Sequence, residues 1–135
     1  MLLGLVSRPT RDLDAVASVG RTLGLSDDRL NPGPTELLRF GLPKGFEQRV
    51  QRRSYGGLIL HVAGRLDQIC FKLYAAVDQG AGSKHAADLR RLDPTQEDLL
   101  TAARWSRTHD PSDGYREALA ATLGALGVEV TDADL

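Results

Sequence analysis

The chain has 135 residues, 17 Lys or Arg against 18 Asp or Glu, and a hydrophobic fraction of 41%. That suits one domain, residues 1–135, with a single core, and excludes a disordered chain. The lone cysteine, Cys70, excludes a disulfide framework and a cysteine-based zinc site. With only the short run Met1-Leu2-Leu3 and no cationic leader among the first residues, and no run of about 20 apolar residues, a cytoplasmic protein without a membrane partner is expected.

The near-zero charge conceals an asymmetry. Residues 1–65 hold 10 Lys or Arg against 6 Asp or Glu, whereas residues 66–135 hold 7 against 12. The basic half is rich in arginine, whose guanidinium suits bidentate phosphate contact. An uneven scatter of surface charge is the competing explanation.

In chain order, Arg11-Asp12-Leu13-Asp14-Ala15-Val16-Ala17 reads as the first strand, with Leu13, Ala15 and Ala17 on one face and Asp12 and Asp14 on the other. A short helix over 18–25 is ended by Gly24, and Asn31-Pro32-Gly33-Pro34 forbids regular structure in the loop that follows. Glu36 to Phe40 reads as a helical turn or a short strand. Glu47–Arg53 and Leu58–Val62, joined by Ser54-Tyr55-Gly56-Gly57, form a predicted β-hairpin.

The remainder reads as helices. Leu66, Ile69, Cys70, Leu73 and Val77 recur at helical period over 66–78. A shorter helix spans Ser83 to Leu92, after the Gly80-Ala81-Gly82 break. Asp93-Pro94 and Asp110-Pro111 read as N-caps followed by proline at the first helical position. The last helix carries Tyr115, Ala118, Leu119, Thr122, Leu123 and Leu126 on one face, with Gly127 just beyond its end. Strands before helices predict an α+β fold: a small mixed β-sheet over a strand-rich part (1–65), a helical part (66–127) and a frayed acidic tail (128–135).

Asp12 and Asp14, two apart on a strand, have Cα atoms roughly 6 to 7 Å apart. Paired carboxylates are hard oxygen ligands for a divalent cation, which could clamp nucleotide phosphates for in-line displacement. Two solvated aspartates at a strand end are the plainer alternative.

The run Arg8-Pro9-Thr10-Arg11-Asp12-Leu13-Asp14 resembles the Asp-x-Asp strand of the nucleotidyltransferase superfamily. The likeness is to its small prokaryotic branch of minimal nucleotidyltransferases and abortive-infection-type toxins. Leu66-Asp67-Gln68-Ile69-Cys70-Phe71-Lys72-Leu73-Tyr74-Ala75-Ala76 resembles the helix that carries that family's active-site lysine. Ser83-Lys84-His85-Ala86-Ala87-Asp88-Leu89 resembles the next helix, with its distal aspartate. The resemblance runs from about residue 5 to residue 127.

It implies a nucleotidyltransferase-like fold and transfer of a nucleotidyl group from a nucleoside triphosphate to RNA, tRNA included, or to protein. It further implies Mg²⁺ or Mn²⁺ on Asp12 and Asp14, and Lys72 contacting the triphosphate or polarising the acceptor. Asp88 would orient that lysine or the acceptor, and Arg8, Thr10, Arg11 and Lys84 would line the substrate site. A cognate antitoxin is an implied partner. Arg49, Arg52 and Arg53 are placed to meet an RNA backbone.

The family opens with a Gly-Ser, Gly-Thr or Gly-Gly phosphate cradle, whereas the 11 residues before Asp12 contain Gly4 and Ser7 but no such dipeptide. The expectation is therefore a domain that begins late. Its sheet edge would be covered by homodimerisation. The alternative function is a truncated, non-catalytic nucleotide- or partner-binding member of the same fold. Taken alone, Lys72 could be a surface lysine and Lys84 could pair with Asp88 four residues on. His85 could carry a proton or lie in solvent, and His61 and His109 have no evident partner.

Overall fold

A computed structural model describes residues 41–131 and 133–135. The predicted strand at 11–17, the helix at 18–25, the loop after it and the segment 36–40 lie outside these residues. So do Arg8, Thr10, Arg11, Asp12 and Asp14. The chain divides into two compact units, Met1–Gly64 and Arg65–Leu135. Among the described residues the fold is mixed α and β and mostly helical, with five helices and one two-stranded antiparallel sheet.

In the first unit, a single helical turn, α1 (Phe46–Arg49), leads into β1 (Gln51–Tyr55), which pairs with β2 (Leu58–Val62). The register sets Gln51 opposite Val62 and Tyr55 opposite Leu58. The hairpin matches the expectation, but β1 runs from Gln51 to Tyr55 rather than from Glu47 to Arg53, so Ser54 and Tyr55 pair in the strand and the turn is Gly56-Gly57 alone. Residues 46–49 coil instead, because Gly45, at φ 79, reverses the chain and Phe46 N–H donates to Pro43 O at 2.9 Å. Gly56, at φ 58, takes the first central turn position, where a two-residue hairpin turn needs the left-handed region that glycine enters without cost.

The second unit is built on α2 (Arg65–Gln79), which packs against α3 (Lys84–Arg91), α4 (Gln96–His109) and α5 (Asp113–Ala125). Of the stripe read from sequence, Leu66 is only half-buried, whereas Ile69, Cys70, Leu73 and Val77 are buried in one core with Leu89 of α3, Leu99, Ala102 and Ala103 of α4, and Leu119 and Leu123 of α5. Alanines at 102 and 103 remove side-chain bulk and let α4 approach α2 closely. Asp67 is also fully buried, in the first turn of α2, where the positive end of the helix favours a carboxylate.

Both Asp-Pro signals mark helix starts, two residues early. The N-cap of α4 is Thr95, not Asp93. Its hydroxyl accepts from Asp98 N–H at 3.1 Å while the Asp98 carboxylate accepts from Thr95 N–H at 2.9 Å, a complete capping box. The N-cap of α5 is Ser112, not Asp110, with its hydroxyl accepting from Tyr115 N–H. Asp93 adopts φ 47, and Asp110 ends α4 and accepts from Ser112 N–H at 2.9 Å. Proline disfavours helical geometry in the residue before it, so each aspartate stays in the loop and the hydroxyl residue after the proline caps the helix.

Each of these loops is held by an arginine. Arg65 donates to Leu92 O and Asp93 O and pairs with Asp98 at 2.9 Å. Arg107 donates to Asp110 O and Ser112 O at 3.1 and 2.7 Å. A guanidinium, with its five donors in a rigid fork, suits paired loop carbonyls that no helix satisfies.

The end of α5 is as expected. Gly127, at φ 84, follows the C-cap Leu126; Val128 N–H reaches Leu123 O and Gly127 N–H reaches Gly124 O. This is the Schellman arrangement, closed by Val128 packing in the same core as Leu123. The described residues 128–131 and 133–135 are not a frayed tail. Val128 is buried, Val130 and Leu135 pack against the core, and Arg107 Nε donates to Leu135 O at 3.4 Å. Three apolar side chains spaced among the acidic ones give this segment a face to bury.

Candidate functional site

The side chains that the sequence singled out in the helical unit meet where α2 crosses α3. Lys72 stands on the flank of the apolar stripe of α2, with buried Phe71 and Leu73 as neighbours in sequence. Its ammonium reaches Asp88 of α3, Nζ to Oδ2, at 2.6 Å. Sixteen positions separate the two residues in sequence. The Lys72 side chain is 18% exposed and that of Asp88 37%, so the pair lies at the rim of the helix contact rather than within it.

The α2–α3 turn makes this meeting possible. Gly80, at φ 90, ends α2; Ser83 N–H donates to Gly80 O at 3.0 Å, and the Ser83 hydroxyl caps α3 by accepting from Ala86 N–H. Ala86 and Leu89 turn inward from α3. Asp88, next to Leu89, is thereby placed at the boundary facing Lys72.

Asp88 has a second, longer partner, Arg91 Nη1 at 3.5 Å. The hydrogen bond from Lys72 is the main reason its carboxyl titrates below the usual carboxylate range; nearby cationic charge adds to this and burial opposes it. Lys84 is exposed and makes no ion pair among the described residues, so the pairing of Lys84 with Asp88 along one helix is not what forms.

His85 belongs to the same cluster, three residues before Asp88. Its Nδ1 is sealed from solvent with no hydrogen-bond partner among the described residues. Burial, followed by the charges of Lys72 and Lys84, pushes the imidazole below its ordinary value of 6.5, with Asp88 opposing. His85 is thus neither simply solvated nor conventionally satisfied.

A second group of side chains was not visible as a unit in the sequence. Trp105 and His109 of α4 meet edge to face at 4.5 Å between ring centroids, and Tyr74 of α2 lies 6.1 Å from Trp105, 5.6 Å from His109 and 5.9 Å from Tyr115 of α5. Burial pushes the Tyr115 phenol up to about 12, with the Ser106 hydroxyl a weaker opposing influence. The one advance signal was aromatic spacing along separate helices, which does not say that those faces converge. In the first unit, His61 of β2 stands opposite Arg52 of β1.

Among the described residues no group of three or more His, Cys, Asp or Glu is disposed to hold a metal ion, and Asp12 and Asp14 lie outside those residues. No helix among them is long and apolar enough to cross a membrane. No family model, curated protein or solved structure matches the chain.

Proposed function

We propose that the chain is a metal-dependent nucleotidyltransferase-like protein, which moves a nucleotidyl group from a nucleoside triphosphate to an RNA or protein hydroxyl. The observation that carries this reading is the 2.6 Å contact between Lys72 and Asp88. The motif resemblance gives these two residues linked roles, a lysine for the triphosphate or acceptor and an aspartate to orient it.

In the proposed reaction an acceptor hydroxyl oxygen attacks the α-phosphorus, pyrophosphate leaves with the bond electrons, and the hydroxyl proton passes to a base or to water. Phosphoryl transfer depends mainly on positioning and on neutralising charge. Lys72 supplies a compact cation for the triphosphate, and Asp88 restricts the lysine's rotamers so that less order is lost on binding. Asp12 and Asp14, two carboxylates, are a hard-oxygen donor set suited to Mg²⁺ or Mn²⁺, which when bound neutralises triphosphate charge. Thr10 and the arginines at 8 and 11 supply donors for phosphate oxygens.

The test is incorporation of labelled nucleoside triphosphate into total RNA or added protein in the presence of Mg²⁺. The parent chain is compared with Asp12→Ala/Asp14→Ala and with Lys72→Ala. Label transfer by the parent, lost in both variants, is the expected result. Absence of transfer by the parent overturns the catalytic reading. Mg²⁺-dependent thermal stabilisation by nucleotide without transfer, lost in the double aspartate variant, would instead assign a non-catalytic nucleotide binder.

A further inference from the structure

Residues 51–54 of β1 are all exposed, although Gln51 and Arg53 lie on one face of the hairpin and Arg52 and Ser54 on the other. A strand laid on a core alternates between buried and exposed positions, so this part of β1 is open to solvent on both sides. The register sets Arg52 opposite His61 and Ser54 opposite Ile59, which gives one face the set Arg52, Ser54, Ile59 and His61. Ile59, 48% exposed, is the one exposed large hydrophobic side chain among the described residues.

Charge sets the hairpin apart as well. Residues 51–62 include Arg52, Arg53 and His61 and no Asp or Glu; the nearest carboxylates along the chain are Glu47 and Asp67. Arg53 Nη2 donates to Gln51 Oε1 at 3.2 Å on the opposite face from Ile59. Arg49 does not belong to the arm. Its guanidinium folds back over Gly45, with Nη1 2.7 Å from where a β-carbon on that glycine would stand.

We propose that the hairpin is an arm for single-stranded RNA, on which Ile59 packs against a base while Arg52 holds the phosphate beside it. This arm rests on the reading of RNA as acceptor, and Ile59 adds to it a base contact that arginines on a backbone do not provide. Arg52 and Ile59 are diagonal neighbours on one face, with Cα atoms roughly 7 to 8 Å apart, so one extended nucleotide covers both. A duplex offers such a face little: its bases are stacked, and the major groove of A-form RNA is too deep and narrow for side chains to read. A single strand displays base faces next to phosphates, the apolar and anionic surfaces that Ile59 and Arg52 complement. An acidic peptide matches the arginine alone.

The test is fluorescence anisotropy of an end-labelled oligouridylate of about 12 nucleotides with the full chain over a range of salt. The variants are Arg52→Gln, Ile59→Ser, Arg53→Gln and Arg90→Gln, the last an exposed arginine of α3. All four replace exposed side chains, so circular dichroism should show the parent fold in each. Arg52→Gln should weaken binding about fivefold and lower the salt slope by about 0.7, as loss of one phosphate contact on a single strand does. Ile59→Ser should weaken binding about threefold with the slope unchanged, the low end of what a base contact contributes. Arg53→Gln and Arg90→Gln should stay within about twofold of the parent, since neither lies on the face that holds Ile59. A ribose-phosphate oligomer of equal length without bases should bind the parent and Ile59→Ser alike.

Absence of binding by the parent overturns the proposal. So does an equal loss in Arg52→Gln and Arg53→Gln, which would mean diffuse charge without a preferred face. Sensitivity of the base-free oligomer to Ile59→Ser, or tighter binding of an RNA duplex, overturns it too. Tighter binding of polyglutamate does the same and would make the arm a protein-docking surface. Binding needs no triphosphate, metal ion or turnover. RNA bound as expected but never labelled removes only the catalytic reading, and labelled RNA with binding unchanged in Arg52→Gln and Ile59→Ser removes only this arm.

Discussion

Replacing Asp88 by alanine strips Lys72 of its acceptor, and replacing Lys72 by methionine keeps the stem and removes the charge. A double-mutant cycle on these changes isolates the pair. The helix-propensity gain of alanine over aspartate appears in both Asp88→Ala backgrounds and cancels. At 2.6 Å and an effective dielectric of about 20, the gross attraction is roughly 6 kcal/mol. Most of that is offset by the water both groups shed and by the ordering of a long side chain. Exposed pairs retain about 0.2 to 1 kcal/mol, and hydrogen bonds to charged groups in shielded positions about 1.5 to 3 kcal/mol. With Lys72 18% and Asp88 37% exposed, the pair falls between these classes and is discounted for screening by the more open carboxylate. The expected coupling is about 1 kcal/mol. Urea unfolding of the four proteins at pH 7 and low salt measures it. It should shrink in 1 M salt and vanish once acid protonates Asp88. A coupling below about 0.3 kcal/mol at low salt would refute the view that this contact orders the lysine.

Stability should fall on acidification in two stages. Between the unfolded histidine value of 6.5 and the lower folded value of His85, the unfolded chain binds the proton more readily, so stability drops as pH falls through that window and His85→Gln removes the step. The second stage begins below 3.8, as the depressed carboxyls of Asp88 and Asp98 take up protons and their contacts are lost; urea midpoints against pH read both stages. Arg65→Ala should cost about 1 to 2 kcal/mol in urea unfolding, because Leu92 O, Asp93 O and Asp98 lose one shared donor. An unchanged midpoint would show that water replaces it fully. Leu73→Ala, at a fully buried site of α2, should cost about 2 to 5 kcal/mol, and a smaller loss in thermal or urea melts would mean that the helices collapse onto the gap. Gly127→Ala should cost about 1 kcal/mol by forcing a Cβ into φ 84, a penalty read in the same melts.

Local chemistry accounts for much of the fold that is described. The period of Ile69, Cys70, Leu73 and Val77 specified the buried face of α2, because only residues three and four apart share one side of a helix. Gly127 marked the end of α5 because a helix closes most cheaply on a residue that accepts positive φ. Gly56, at φ 58, located the hairpin turn for a similar reason. The starts of α4 and α5 were misplaced by two residues because Asp and Thr or Ser are both good caps. The choice between them followed from proline's restriction on the residue before it, and in each loop an arginine holds the carbonyls left over. The burial of Val128, Val130 and Leu135 was illegible because three apolar residues in an acidic stretch have no visible target until α4 and α5 are packed.

The candidate site divides along the same line. Hydrophobic period and turn residues were enough, before any coordinates, to specify the hairpin and the helices that follow it among the described residues. Sequence alone also picked out Lys72 and Asp88 as residues of interest, through short motifs that record chemistry and not distance. Whether Asp88 would pair with Lys84 along its own helix or with Lys72 across to another could not be read from spacing, since both are sterically open. Packing decided it. Ala86 and Leu89 turn one face of α3 inward, which sets Asp88 against α2 and leaves Lys84 in solvent. The same packing sealed Nδ1 of His85 and drew Tyr74, Trp105, His109 and Tyr115 from three helices into one cluster. A residue's chemistry is local and can be read along the chain, but its desolvation and its partners depend on which faces the tertiary structure brings together.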